Sequence, residues 1–262
     1  MNGPAIALDI DGGVAWLTLA RPDKRNAIGP DVARALHELA DRCAGDPAVR
    51  CVVLTGSGRF FSVGGDIDLF AGAGDDAEAT VLALARSFHA GVHRLATMDK
   101  PLVTAINGPA AGAGFSLAIL GDIAIAAASA HFTAAYSAIG LTPDGGASWW
   151  LPRLVGLRRA QEIVLTNRRI DVEEAAAIGL VTRAVSDEEL PSVAKDTAQR
   201  LAAGPTRAIG RCRSLLLGSS THDFAAQLAF ESESIAASAG APEGREGIAA
   251  FLAKRPPNFT GT

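Results

Sequence analysis

This sequence of 262 residues has few cysteines, no clusters of positive charge and no long apolar run. These absences set the first limits on its fold and function. Its three cysteines, Cys43, Cys51 and Cys212, lie far apart and form no CxxC pair, which argues against a disulfide framework and against a zinc site. The net charge is −4, and no run of lysine or arginine is present to follow a phosphate backbone. Nucleic acid is therefore not an expected partner.

The apolar stretches are too short or too interrupted to span a bilayer, so no membrane association is expected. The N-terminal stretch MNGPAIALDIDGG has neither the basic flank nor the apolar core of a signal peptide. We therefore expect a cytoplasmic protein. Because hydrophobic residues make up 48% of the chain, it can bury a sizeable core as one large domain, alone or with a small appendage.

Strands and helices alternate through the first half of the sequence. The turn Asp11-Gly12-Gly13 between two alternating apolar runs predicts an antiparallel hairpin. The later strands are almost continuously apolar, which is typical of β-α-β units built on a parallel sheet. In order, the sequence predicts a helix from Pro30, a strand at 49–56, a helix at 78–99, a strand at 101–108, a helix at 112–121 and a strand at 122–128. The segment 71–79 reads as a mobile loop, and from residue 158 onward helices predominate apart from a short β run at 179–186.

Two glycine-rich turns follow two of these strands, FFSVGGDID at 60–68 and NGPAAGAGFSL at 107–117. Folds of this type bind ligands at the carboxyl ends of their strands. The second turn leads into a helix, whose first amides have no partner inside the helix and carry the positive end of its dipole. Each turn alone is better explained by tight packing, but together they can supply the two amides of an oxyanion hole.

Asp144 lies in the turn GLTPDGGASWW, between a proline and two glycines. The residues leave two explanations open. Asp144 is either a general base on the wall of a pocket or a cap for the following helix, and the two roles are compatible. Burial against Phe115, Trp149 or Trp150 would make its carboxylate a stronger base.

The motifs, taken in order, resemble the crotonase family, the enoyl-CoA hydratase/isomerase superfamily, over essentially the whole chain. The resemblance rests on RPDKRNAI (21–28), FSVGGDI (61–67), INGPAAGAGFSLAILGDIAIAA (106–127), GLTPDGGASWWLPRLVG (140–156), LTNRRIDVEEAAAIGLVTRAV (165–185) and EGIAAFLAKRPPNF (246–259). It implies an α/β fold, a spiral of β-β-α units in residues 1–195, followed by a helical trimerisation region in residues 196–262. It also implies an acyl-CoA thioester as substrate, no separate cofactor, no metal, and a homotrimer or a dimer of trimers.

The resemblance also assigns roles to residues. It places the oxyanion hole on the amides of Gly65 and Ala113 and a catalytic carboxylate at Asp144. The residues assigned to binding of the CoA and acyl groups are Lys24, Arg25, Asp66, Ile67, Ser116, Tyr136, Phe251 and Lys254. The last two belong to a helix that, in the family, reaches a neighbouring subunit.

The chain departs from the family pattern at the positions where hydratases carry their two glutamates, which here are Ser116 and Tyr136. A further departure is Asp68, where several hydratases carry a lysine. A 1,3-proton shift needs only one base, so the resemblance favours an isomerase that uses Asp144, similar to the isomerases of enoyl-CoA and of ring-epoxidised phenylacetyl-CoA. A related dehalogenase branch has an aspartate nucleophile at the same position.

The residues also bear on four alternative functions. A hydratase would hold water with Ser116, Tyr136 and Asp144, and a non-catalytic acyl-CoA-binding protein would keep the fold without the chemistry. A nicotinamide enzyme is disfavoured because Leu117 replaces the last glycine of GxGxxG, and a serine hydrolase because Ser116 lacks the GxSxG elbow. His89 and His93 are four residues apart, a spacing that permits a metal, but packing or solvent-facing roles are expected for both.

Overall fold

The computed structural model describes residues 3–261. Strands β1 (Ile6–Asp11) and β2 (Val14–Leu19) form the predicted antiparallel hairpin, with Ile6 opposite Leu19. Gly12 and Gly13 make its turn at φ angles of 55° and 81°, which glycine adopts without steric cost.

The hairpin is one edge of a six-stranded sheet whose remaining pairs are parallel. It continues through β3 (Cys51–Gly56), β4 (Leu102–Ile106), β6 (Ile123–Ala127) and β9 (Arg183–Val185). A second sheet of three short strands lies beside it, made of β5 (Ala110–Ala111), β7 (His131–Thr133) and β8 (Ile170–Asp171), in the order β5-β7-β8. The short strands were not predicted, since two or three residues carry no readable alternation.

The chain passes from the large sheet to the small sheet and then into a helix, and it does so twice. The first such unit is β4-β5-α4, with α4 at Ala113–Ala118, and the second is β6-β7-α5, with α5 at Ala147–Val155. This order is the predicted succession of β-β-α units. It places both the second glycine-rich turn and the turn of Asp144 at helix starts on the same side of the protein.

Helices cover both faces of the large sheet. Helices α1 (Pro30–Gly45) and α3 (Ala77–Thr97) pack together on one face, where the core includes Leu36 and Phe88. Helix α8 (Leu190–Ala203) covers the other face and buries Ala194 against Val53 and Val103. Alternate strand residues point to opposite faces, so both faces of the sheet are apolar. The division expected after residue 195 falls inside α8, which packs on the sheet.

The remaining helices are α2 (Ile67–Gly72), α6 (Leu157–Thr166), α7 (Val172–Ala177), α9 (Thr206–Gly218), α10 (Phe224–Gly240) and α11 (Pro242–Leu252). The C-terminal third is therefore helical, as predicted. Buried Arg213 anchors α9 to the core through an ion pair of 2.7 Å with Asp122. Several large apolar side chains of this region are exposed, namely Leu216, Phe224, Leu228, Ile235, Ile248, Phe251 and Leu252.

The prediction of a loop over 71–79 is wrong. The segment comprises the end of α2, a 3₁₀ turn at Gly74–Asp76 and the first turn of α3. Asp66 caps α2 by accepting a hydrogen bond from the Leu69 amide, and this cap starts a helix that the glycine-rich composition concealed. Within residues 3–261, no helix is long and apolar enough to cross a membrane.

Candidate active site

A cavity of about 610 Å³ opens between the two glycine-rich turns, helix α3 and the turn that precedes α5. Its wall is mostly apolar and includes Phe70, Val81, Leu84, Phe88, Ile139 and Leu141. Two carboxylates, Asp144 and the exposed Glu78, also line it. An apolar cavity with a few polar groups is the usual form of a small-molecule site.

The two proposed oxyanion amides lie on the wall of this cavity. Ile28 donates to the carbonyl of Gly64 and accepts from the amide of Asp66, so the intervening Gly65 turns its own amide away from Ile28. Ala113 is the first residue of α4, where an amide has no partner within the helix. Among residues 3–261, neither amide has a protein acceptor, so both are available to a ligand oxygen.

Glycine at two further positions lets the two turns approach each other. A Cβ atom on Gly64, whose φ is 94°, would lie 2.7 Å from the Ala111 oxygen and 3.1 Å from the Ala113 nitrogen. A Cβ atom on Gly114 would lie 2.3 Å from the Ser62 oxygen. Any larger residue at either position would push the turns apart, and the two amides with them.

The turn that carries Asp144 is held against α3 and α4. Gly145 has a φ of 59°, and a Cβ atom there would lie 2.7 Å from a ring carbon of Phe88 and 2.9 Å from the Ser116 Cβ. The Ser116 hydroxyl donates to the backbone oxygen of Asp144 at 2.8 Å. Close packing and this hydrogen bond fix the backbone from which the Asp144 side chain extends.

The carboxylate of Asp144 has two different neighbours. Its Oδ1 accepts a hydrogen bond of 2.7 Å from the hydroxyl of Tyr136. Its Oδ2 lies 3.7 Å from Nε2 of His89. Among residues 3–261, no group donates a hydrogen bond to Oδ2. Burial, followed by the charge of Asp144, raises the pKa of Tyr136 far above its ordinary value, so the phenol is a neutral donor at every relevant pH.

The alternative that Asp144 caps the following helix is wrong. The N-cap of α5 is Gly146, and no side chain of the described residues caps this helix. Asp144 contributes only its backbone oxygen, which accepts from the Ala147 amide at 3.1 Å. Two successive glycines at positive φ turn the chain between Asp144 and the helix, so the carboxylate points to Tyr136 instead.

The expected apolar wall around Asp144 is made of different residues. Phe115 is fully buried behind the cavity, and neither Trp149 nor Trp150 belongs to its lining. Those two tryptophans make an edge-to-face contact with ring centroids 4.6 Å apart. Phe88 contributes the aromatic surface near Asp144, because the PDGG turn packs on it.

His89 is a site residue that the sequence reasoning did not select. It lines the cavity, and its side chain is 47% exposed. The Gly145 amide donates to Nε2 of His89 at 2.9 Å. Nε2 is therefore directed at the Gly145 amide, and its 3.7 Å separation from Oδ2 of Asp144 is too long for a hydrogen bond. The signal in the sequence was a histidine one residue after Phe88, which alone does not reveal a contact with position 144.

The residues expected to bind CoA fall into two places. Lys24 and Arg25 are exposed beside the first glycine-rich turn, because buried Asn26 donates to the Phe60 oxygen at 2.8 Å and holds their segment there. Lys24 forms an ion pair of 3.7 Å with Asp66. Phe251, which is 83% exposed on α11, lies outside the cavity, and so does Lys254, which follows the end of α11 and is not part of the helix as expected.

The other residues expected to bind the substrate also lie in different places. Ile67 and Tyr136 line the cavity, whereas Ser116 is fully buried behind it and Asp66 is engaged as the cap of α2. Asp68 is exposed on the first turn of α2. Within residues 3–261, no three histidine, cysteine, aspartate or glutamate side chains are grouped so that they could hold a metal ion.

Comparison with known proteins relates this geometry to an enzyme family. Residues 9–262 match the family described as Enoyl-CoA hydratase/isomerase. The chain is 38% identical to 1,2-epoxyphenylacetyl-CoA isomerase of Escherichia coli K12 over 253 residues, which cover 96% of this chain and 97% of that protein. It is 34% identical to 4-chlorobenzoyl coenzyme A dehalogenase-2 of an Arthrobacter species, with 95% and 91% covered.

A solved structure gives the same result for the fold. The crystal structure of an enoyl-CoA hydratase from Polaromonas sp. JS666 superimposes with a TM-score of 0.93 at 34% identity, covering 97% of this chain and 98% of that one. The fold, including the helical C-terminal region, is thus shared along the whole length. The chain belongs to the enoyl-CoA hydratase/isomerase family, the crotonase family of enzymes that act on CoA thioesters.

Proposed function

We propose that this protein is an acyl-CoA isomerase in which Asp144 is the only catalytic base. The observation that supports this proposal is the placement of Asp144 in the same cavity as the amides of Gly65 and Ala113. In the part of the chain that the structure describes, Oδ2 of Asp144 has no hydrogen-bond donor and neither amide has an acceptor. The amides would hold the thioester oxygen, and the carboxylate would act on the carbon chain beside it.

In a 3-enoyl-CoA, Asp144 takes a proton from the carbon next to the thioester carbonyl, and the electron pair of that bond moves toward the carbonyl oxygen. The amides of Gly65 and Ala113 stabilise the negative charge on this oxygen. Asp144 then returns the proton two carbons further along, which moves the double bond and restores the carboxylate. This isomerisation consumes no water and needs no metal or second acid.

The surroundings of Ser116 favour an isomerase over a hydratase. Hydration needs groups that hold and activate water. The Ser116 hydroxyl is buried and contacts the Tyr136 hydroxyl at 2.9 Å and the Asp144 backbone oxygen at 2.8 Å, so it is not free for water. Tyr136 is already engaged with Asp144.

A second candidate is hydrolytic removal of halogen from an aromatic acyl-CoA, the reaction class named for the Arthrobacter relative. Asp144 would bond to the ring carbon, halide would leave, and water would cleave the resulting ester. The observation that favours this candidate is Oδ2 of Asp144, which accepts no hydrogen bond from residues 3–261 and is thus free to attack a ring carbon in the cavity.

We extend the proposal to binding and assembly. Lys24 and Arg25 place positive charge beside the first glycine-rich turn, which suits the phosphates of CoA. The exposed apolar side chains of α9 to α11 suit a homotrimer or a dimer of trimers, in which Phe251 and Lys254 would reach a neighbour's cavity. A cytoplasmic location belongs to the same proposal.

The test is a substrate panel on the purified wild-type protein. It compares isomerisation of a 3-enoyl-CoA and of ring-1,2-epoxyphenylacetyl-CoA with hydration of crotonyl-CoA and chloride release from 4-chlorobenzoyl-CoA. The proposal expects turnover of at least one of the first two and little of the others. Dominant hydration or chloride release would replace it with the corresponding reaction, and CoA binding without any turnover would indicate a non-catalytic binding protein.

A further inference from the structure

We propose that Tyr136 is a positioning residue that fixes Oδ1 of Asp144 and thereby makes Oδ2 the only oxygen that exchanges a proton with substrate. This inference rests on the proposed base function of Asp144. It concerns the atom that reacts and the residue that selects it.

The number of hydroxyl hydrogens determines which group donates in each contact among Tyr136, Ser116 and Asp144. Tyr136, Ser116 and Asp144 make three contacts: Tyr136 hydroxyl to Asp144 Oδ1 at 2.7 Å, Ser116 hydroxyl to Tyr136 hydroxyl at 2.9 Å, and Ser116 hydroxyl to Asp144 backbone oxygen at 2.8 Å. The two hydroxyls carry only two hydrogens. An ionised carboxylate accepts the stronger, charge-assisted bond, so the hydrogen of Tyr136 goes to Oδ1.

The same bond persists after Asp144 has taken up a proton. With the new proton on Oδ2, Oδ1 keeps its lone pairs and still accepts from Tyr136. With the new proton on Oδ1, Tyr136 would have to pass its own hydrogen to Ser116 and accept from Oδ1 instead. Uptake on Oδ2 needs no such reversal of donors around a tyrosine that is only 7% exposed, and Oδ1 is the oxygen already turned to the phenol.

The groups that face the carboxylate from other elements support this division. His89, on α3, approaches Oδ2 and not Oδ1, and its Nε2 is occupied by the Gly145 amide. Tyr136 and Ser116 lie at the family's two glutamate positions, and they donate to Oδ1 and to the backbone oxygen of Asp144, respectively. These two residues therefore hold the base, and they do not replace the missing acids.

The first test is Tyr136→Phe, which keeps the buried ring and removes the hydroxyl. We expect kcat to fall about 10- to 100-fold, the effect of losing a hydrogen bond to a charged group, with KM changed less than about threefold. The pH at which activity is half lost on the acid side should rise, because the carboxylate has lost a donor that stabilises its charged form. The matched control is Ser137→Ala, which removes a neighbouring hydroxyl bonded to the Val164 oxygen and should leave kcat and the pH profile unchanged.

The second test needs no substitution at Tyr136, because this is the only tyrosine in the chain. Protein grown with 3-fluorotyrosine reports Tyr136 alone by ¹⁹F NMR. We expect its resonance to shift through one titration step that persists in Ser137→Ala and disappears in Asp144→Asn. A step that survives in Asp144→Asn would come from another group, such as His89, and would overturn the inference.

The two tests distinguish failure of the role given to Tyr136 from failure of the proposed base function of Asp144. If Asp144→Asn retains full isomerase activity, the base assignment fails. If Asp144→Asn is inactive while Tyr136→Phe keeps the wild-type kcat and pH profile, the base assignment stands and the role given to Tyr136 is wrong.

Discussion

The substitution Ala113→Pro should remove one oxyanion donor without disturbing the fold. Ala113 is the first residue of α4, a position at which proline is well accepted because its nitrogen needs no helical hydrogen bond. The preceding residue is Gly112, at φ 54° and ψ −129°, which has no Cβ to meet the proline ring. Because the Ala113 amide has no acceptor among residues 3–261, proline removes no hydrogen bond that the described structure makes.

The magnitude follows from the number of donors. Gly65 and Ala113 are the two amides available to the thioester oxygen, and losing one such donor typically lowers kcat by about 100- to 1,000-fold, or about 2.7–4 kcal/mol. We expect Ala113→Pro to show this loss for the isomerase reaction, with thermal unfolding and the affinity for free CoA close to wild type. Free CoA has no acyl oxygen and so does not report the oxyanion hole.

The matched control is Ala113→Gly, which keeps the amide and should retain activity within about tenfold, a smaller loss than that of a donor. The reasoning is refuted if Ala113→Pro folds, binds CoA and turns over at the wild-type rate. It is also refuted if Ala113→Gly loses as much activity as Ala113→Pro, since the amide would then not be the cause.

Two further predictions concern the scaffold. Gly145→Ala should lower the free energy of unfolding by about 2–5 kcal/mol in a denaturant titration. About 1–2 kcal/mol comes from placing a non-glycine residue at φ 59°, and about 1–3 kcal/mol from contact of its Cβ with Phe88 and Ser116. An unchanged unfolding midpoint would contradict the packing described. The Arg255 side chain and the Asn258 amide lower the pKa of Glu246 to about 2, so the stability it contributes is present above about pH 4.5 and is lost as the pH falls toward 2. Glu246→Gln should therefore lose less stability than wild type between pH 4.5 and 2, and parallel unfolding curves would contradict this.

Residues near one another in sequence were sufficient to predict much of the fold. The Asp11-Gly12-Gly13 turn predicted the hairpin, and the apolar runs predicted β3, β4 and β6 close to their observed bounds. The loop over 71–79 was wrongly predicted because α2 is a short helix that Asp66 caps from outside the segment and α3 begins at Ala77 without a side-chain cap, so composition reveals neither helix.

The candidate site was predicted less completely, because it depends on contacts between distant parts of the chain. His89 meets the turn of Asp144 from 56 residues before Gly145, and only the packing of α3 brings them together. Whether Asp144 capped a helix depended on the positive φ angles of Gly145 and Gly146, which move the helix start beyond the carboxylate. Phe88 occupies the place expected for Phe115 or the tryptophans because α3, and not α5, closes that side of the cavity.

The most direct test of the central claim is kcat/KM of Asp144→Asn relative to wild type, measured on the isomerase substrate that the wild-type protein prefers. Asparagine keeps an oxygen that can accept from Tyr136 but cannot take a proton from carbon. We predict a loss of about 100- to 10,000-fold with unchanged thermal stability and CoA affinity. Activity within a few fold of wild type in the folded variant would show that Asp144 is not the base.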